Sequence, residues 1–231
     1  MAQLWKDDAG LFSIIRQELT TAVVGEVLDE LGMRNQFLPP GMTPLDPKTV
    51  LVGRAMPVLH ADCCDPYSPS GVNPSFAKPF GLMLEALDDL RAGEVYVAGG
   101  GGKNLALWNE LMTLRAIKLQ AAGAVINACV RDSHALDRLQ FPIFSRGVFG
   151  QDQRTRSKVV GFRVAVEMDG VRIRPGDLVF GDAEGVCIIP GGAESDVVHQ
   201  ALERAQKRLK VRQAIEAGDS AVQVFNKYNL M

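Results

Sequence analysis

The run Asn127-Ala-Cys-Val-Arg-Asp132 closes an apolar stretch that begins at Ala124, and it ends in a cation followed at once by a carboxylate. Such a stretch reads as a strand buried on both faces, and in α/β folds functional groups gather just past the carboxyl ends of those strands. Arg131, a cationic fork, beside the carboxylate of Asp132 at that point makes a candidate site. The bland reading is a surface ion pair worth about 0 to 1 kcal/mol. Glu110 precedes Arg131 with twenty residues between them, within Asn104-Leu-Ala-Leu-Trp-Asn-Glu-Leu-Met112. Asn104 and Asn109 are both good helix caps, so two starts are open. From Asn109, the amides of Leu111 and Met112 stand free at a positive dipole end, a seat for a carboxylate with Glu110 at its entrance. From Asn104, Glu110 is one more charge on a solvated face.

Other chemistry is weaker. Gly99-Gly-Gly-Gly102-Lys103 lacks the glycine six residues before the lysine and the hydroxyl after it that a phosphate loop needs, and it does not complete a dinucleotide fingerprint. The glycines read instead as a place where a ligand or a neighbouring strand comes close. The four cysteines, Cys63, Cys64, Cys129 and Cys187, have neither zinc nor redox spacing and are expected reduced. The three histidines, His60, His134 and His199, form no ligand motif. Any metal must then be held mainly by oxygen, which favours Mg2+ or Mn2+. His134 and Arg146 lie near Arg131 in sequence, with open roles.

The elements that would position these groups alternate between helix and strand. Apolar spacing over residues 11 to 31 predicts two helical segments, the second capped by Thr20 or Thr21 and ended by Gly32. A strand over 50 to 59 leads into a long proline-rich loop at 60 to 79, a lid or an oligomer contact. A helix over 80 to 90, a strand before the glycines, a helix over roughly 104 to 121 and the 124 to 130 strand follow. Then the pattern turns to β: Phe141 to Ser145, Gly161 to Glu167, a hairpin at Asp169-Gly170, and two closing strands. The last 40 residues read as a long charged helix.

With 231 residues and 47% hydrophobic side chains, the chain can bury a substantial core as one α/β domain. Its 25 basic and 27 acidic residues leave a formal charge of -2, which argues against nucleic acid as a partner. No 18-residue apolar stretch argues for a membrane, and the first residues lack the order of a signal peptide, so a cytoplasmic protein is expected.

Glu110, twenty residues, then Arg131-Asp132 resembles the pattern of the RraA-like family, which includes class II pyruvate aldolases acting on 4-hydroxy-4-methyl-2-oxoglutarate and 4-carboxy-4-hydroxy-2-oxoadipate. Ala106-Leu-Trp-Asn-Glu-Leu111 and Asn127-Ala-Cys-Val-Arg-Asp132 are similar to the family's "ALWGEL" and "NGCVRD". The likeness covers roughly residues 20 to 220. It implies a single domain over 1–231, core about 20–190 and C-terminal helix about 191–217, with a swivelling β/β/α fold of the phosphohistidine type. It also implies a homotrimer or dimer of trimers with active sites at subunit interfaces. Carried over, Asp132 is the metal ligand, and Glu110 orients metal-bound water. Asn109, Glu110, Leu111, Met112 and Arg131 receive a small 2-oxo acid, and Arg131 and Glu110 serve catalysis. The expected reaction is lysis of a 4-hydroxy-2-oxo acid to pyruvate and a second oxo acid, with oxaloacetate decarboxylation as a related activity. The sequence departs from the family at Asn109, where glycine is usual, at Gly25-Glu26, where Ser-Asp is frequent, and in the longer 61–79 loop. A glutamate that a neighbouring subunit lends the metal in the aldolases falls near Arg208, with Glu203 the closest acidic residue. The alternatives are a lyase for another 2-oxo or sugar acid, or a non-catalytic regulator like the family's RNase E inhibitor.

Overall fold

The computed structural model describes residues 4–63 and 78–230. The chain forms two compact units, Asn35–Gly191 and Met1–Arg34 with Gly192–Met231. Among the described residues, no helix is long and apolar enough to cross a membrane.

The larger unit is built on an eight-stranded sheet. Its middle is parallel: β2 (Leu51–Asp62), β3 (Glu94–Gly99), β5 (Gly123–Ile126) and β7 (Ile143–Ser145) lie side by side. Val95 to Ala98 and Ala124 to Ile126 are wholly buried, the continuous apolar run that a strand covered on both faces requires. Antiparallel strands complete it. β1 (Thr43–Pro44) pairs with β7; β11 (Leu178–Asp182) pairs with β2 and with β12 (Gly185–Ile189); and β8 (Ser157–Phe162) pairs with β2 across a bulge at Leu59/His60. β1 also lies against β12, so the sheet nearly closes.

Alternate residues of the parallel strands feed two cores. Tyr96, Ala98, Ala124 and Ile126 pack with Met83, Ala86 and Leu87 of α3 (Met83–Asp88), Met112 and Ala116 of α4 (Glu110–Lys118), and Leu136 of α5 (Ser133–Leu139). Val95, Val97 and Val125 pack with Val166 and Met168 of β9 (Val166–Met168) and Val171 and Ile173 of β10 (Val171–Ile173), the hairpin turned by Asp169-Gly170. Helices thus cover one face of the sheet and β-structure the other, which is the swivelling β/β/α arrangement.

The second unit contains α1 (Asp8–Glu18), α2 (Thr21–Glu30), α6 (Glu194–Glu216) and α7 (Ala221–Tyr228). Asp7 and Thr20 cap α1 and α2 through their side chains. Arg204 of α6 bridges Glu26 and Glu30 of α2, and Arg208 Nη1 lies 3.7 Å from Glu26 Oε1. Glu26, at a departure from the family pattern, is therefore engaged with two arginines. The C-terminal segment is two helices rather than one. Gly218, at φ 103, breaks it, and Ser220 with Gln223 forms a capping box that starts α7.

Three other expectations change. The 124–130 strand divides into β5 and β6 (Cys129–Val130), because the Asn127 amide donates to Ala98 O while Cys129 and Val130 pair with a different strand. The 161–167 strand divides into β8 and β9, because Arg163 adopts φ 53 and reaches back to Asp89 and Glu94. In the 104–121 segment the helix starts only at Glu110; Ala106–Trp108 form strand β4. Strand β2 runs on to Asp62, and most of the proline-rich loop, 64 to 77, lies outside the described residues.

Candidate active site

β4 and β6 pair in parallel, Ala106 opposite Cys129 and Trp108 opposite Val130, and each strand ends at the start of a helix. The pairing carries one step further, since the Arg131 amide donates to Trp108 O at 3.0 Å. This brings the segments holding Glu110 and Arg131-Asp132 to one edge.

The start of α4 is locked from below. Asn109 is its N-cap, with Oδ1 accepting the Met112 amide at 3.0 Å. Thr113 donates from its hydroxyl to Asn109 O at 3.0 Å, and Trp108 Nε1 donates to that hydroxyl at 2.7 Å. Trp108 is itself buried, stacked on Phe141 and tilted against Tyr96. The cap corrects the expectation of two open amides. The Met112 amide is occupied by Asn109 and its side chain is core, so the donor left for a ligand is the Leu111 amide. Leu111 is 72% exposed, and its amide meets no acceptor among the described residues.

Asp132 precedes α5 in the capping position, yet its side chain does not cap that helix. It sits at φ 61, ψ 36, a left-handed conformation that Asp tolerates better than most residues. Its carboxylate turns instead to α4, where Oδ2 accepts the Glu110 amide at 3.4 Å. The carboxylate is exposed and lightly engaged. Arg131 is half-buried, with Nη1 3.6 Å from Asp152 Oδ1.

Sequence reasoning missed Asp152, Asn127 and Asp169. Arg146 donates from Nε to Asn127 Oδ1 at 2.8 Å and from its backbone to Ala128 O at 2.9 Å. It thus fastens the bend where β5 gives way to β6. Asp169, at the tip of the β9–β10 hairpin, pairs with Arg146 and Lys103, which hold its carboxyl below the usual range, the Lys103 hydrogen bond foremost. No short-range signal marks Asp152; Asn127 shows only as a polar residue in an apolar run. The glycines serve the neighbouring-strand reading. A Cβ on Gly100 would lie 2.4 Å from His60 O, and the Gly102 amide donates to Asp62 Oδ1 at 2.6 Å. His134 is an exposed residue of α5.

Among the described residues, no three His, Cys, Asp or Glu side chains converge as a metal cage. A cation that keeps most of its waters and takes one or two carboxylates, as magnesium does, fits what is present: Asp132 exposed and spared from capping, with Glu110 next to it.

A family model described as RraA-like (Aldolase/RraA) matches residues 21–188. The chain belongs to the RraA-like family. A member from Halalkalibacterium halodurans, named "Putative 4-hydroxy-4-methyl-2-oxoglutarate aldolase", is 31% identical over 144 residues, 62% of this chain and 68% of that protein. Protein DlpA of Legionella pneumophila is 23% identical over 90% of this chain, which spans only 32% of DlpA. Among solved structures, an uncharacterized protein from Pseudomonas syringae superposes with a TM-score of 0.81 at 26% identity, covering 99% of this chain and 98% of that one. A Streptomyces coelicolor protein, titled an unusual member of the RNase ES inhibitor RraA protein family, gives 0.77 at 22% identity over 90% and 99% of the two chains, a likeness of fold.

Proposed function

We propose that this RraA-like chain is a divalent-metal-dependent lyase that cleaves a 4-hydroxy-2-oxo acid to pyruvate and a second oxo acid. The observation that carries the reading is Asp132, an exposed carboxylate in the capping position that leaves its own helix uncapped and turns to the Glu110 amide. The relatives named as aldolases supply the substrate class.

Asp132 would hold magnesium or manganese directly and Glu110 would hold it through water; the bound ion supplies Lewis acidity at the substrate's keto and carboxylate oxygens. Cleavage breaks the C3–C4 bond. The C4 hydroxyl loses its proton and becomes the carbonyl of the second product, while the bonding pair moves through C3 to the C2 oxygen, leaving a pyruvate enolate that is then protonated at C3. Arg131 presents fixed donors to the growing charge on that oxygen, an effect worth about 3 kcal/mol per well-placed donor in other enzymes. The Leu111 amide at the positive end of α4 receives a substrate carboxylate. Glu110 orients the water that carries the proton. Loss of carbon dioxide from oxaloacetate yields the same enolate, so decarboxylation belongs to the same reading.

Leu111 and Leu114, close to Glu110 in sequence, and Val148 and Phe149, whose segment pairs with Val130, are exposed apolar side chains, which supports a trimer or dimer of trimers that covers them. The test is pyruvate release from 4-hydroxy-4-methyl-2-oxoglutarate and from oxaloacetate, with magnesium, with chelator, and in Arg131→Ala and Asp132→Ala. Metal-dependent release lost in both variants is expected. No release by the metal-loaded protein overturns the lyase and favours a regulator that works by protein contact.

A further inference from the structure

Asp152 belongs to a stretch that the chemistry above does not use. The run from Gly147 to Asp152 is stitched to both strands of the small parallel pair. Val130 N donates to Gly147 O and Phe149 N donates to Val130 O, each at 2.9 Å; further on, Ala106 N donates to Gln151 O at 2.8 Å and Ala106 forms a bridge with Asp152. Asp152 is also held by its neighbours, with its carbonyl accepting from Arg156 Nη1 at 3.1 Å and its Oδ1 from the Arg154 amide at 3.4 Å. That same oxygen faces Arg131 Nη1 at 3.6 Å.

The side chains are 32% and 39% exposed, so the pair adds little to stability. Its geometry is set by backbone pairing and would stand without the ion pair. The backbone of Arg131 is fixed by β4 through Trp108 O, but its long side chain has only this one carboxylate within ion-pair distance among the described residues. An unanchored arginine samples many rotamers, and a donor fork contributes to a transition state only when it already points at the forming charge.

We propose that Asp152 is the positioning residue for Arg131: it engages one end of the guanidinium and aims the remaining donors of the fork toward the substrate oxygen. The role rests on the lyase reading. Asp152→Asn is the discriminating variant, because it keeps an oxygen for the Arg154 amide and removes only the charge.

The experiment is steady-state pyruvate release by the metal-loaded protein and by Asp152→Asn, Arg131→Lys and the double variant, with thermal unfolding of each. Asp152→Asn is expected to lower kcat about tenfold, with KM changed less than about twofold and an unchanged melting temperature. Arg131→Lys keeps a charge but loses the planar fork, so adding Asp152→Asn to it costs less than about twofold further. An undiminished kcat in Asp152→Asn, a loss that multiplies fully with that of Arg131→Lys, or a loss accompanied by a lower melting temperature overturns the role and leaves the lyase standing. No pyruvate from the wild type with either acid removes both.

Discussion

The carboxylate of Asp132 reaches across from the start of one helix to the first amide of another, with Oδ2 3.4 Å from the nitrogen of Glu110. A strand pair only a few residues long brings two helix starts together, and the residue that would ordinarily cap the second helix is spent on the gap between them.

Because Asp132 holds a left-handed backbone, glycine is the substitution that separates chemistry from folding there. Asp132→Gly is expected to unfold within about 1 kcal/mol of the wild type, while metal-dependent pyruvate release falls below detection. Chemical denaturation alongside the activity assay checks both halves.

The Asn109 cap satisfies an amide at the entrance of the site. Asn109→Ala should cost about 1 kcal/mol, a drop of about 2 to 4 °C in melting temperature for a chain of this size. Asn109→Asp should hold the wild-type value. A scanning calorimeter reads the difference, and equal melting temperatures for all three proteins would show that the cap contributes nothing.

His60 is buried with neither ring nitrogen partnered, and burial pushes its imidazole down to about 4. The unfolded chain, titrating near 6.5, therefore binds the extra proton throughout that window. Stability is full above about pH 6.5 and falls as the pH is lowered toward 4, by about 3 kcal/mol from this residue. Urea unfolding at a series of pH values should show the decline, and His60→Leu should flatten it between pH 6.5 and 5.

Gly100 combines φ +81 with a carbonyl oxygen 2.4 Å from where its Cβ would be. Gly100→Ala is expected to destabilise by about 2 kcal/mol or more. Gly191→Ala meets no atom within 4 Å and should be close to neutral. Parallel unfolding curves of the two variants decide the matter.

The buried strands were readable from the chain because parallel strands covered on both faces leave unbroken apolar runs, as in Val95 to Ala98. The hairpin at Asp169-Gly170 was readable from its turn chemistry. What sequence reasoning missed depends on contacts far apart along the chain. Nothing local says that the strand will pass to a new partner after Asn127, since β4 is supplied by residues 106 to 108 and the Arg146 that fastens the bend lies nineteen positions on. Arg163 turns the chain because Asp89 and Glu94 wait for it, not because of its neighbours. In the site, Glu110, Arg131 and Asp132 stood out by type and spacing, while Asp152 sits in a polar loop where a carboxylate draws no notice. The Met112 amide was misjudged because a good capping residue before a helix both announces an anion seat and fills part of it.

Strand β2 pairs in parallel with β3 and antiparallel with both β11, over Leu51 to Arg54, and β8, over Val58 to Asp62. In kinetic terms it is the strand on which the order of assembly turns. The β2, β3, β5 and β7 stack links segments that follow one another along the chain through short helices, and can form early. Pairing Arg54 with Leu178 closes a loop that spans most of the larger unit, and that entropy is lost before the contact rewards it. Until β11 arrives, one edge of β2 stands open, so the slow step of folding is also the one in which the chain is most exposed to pairing with another copy of itself.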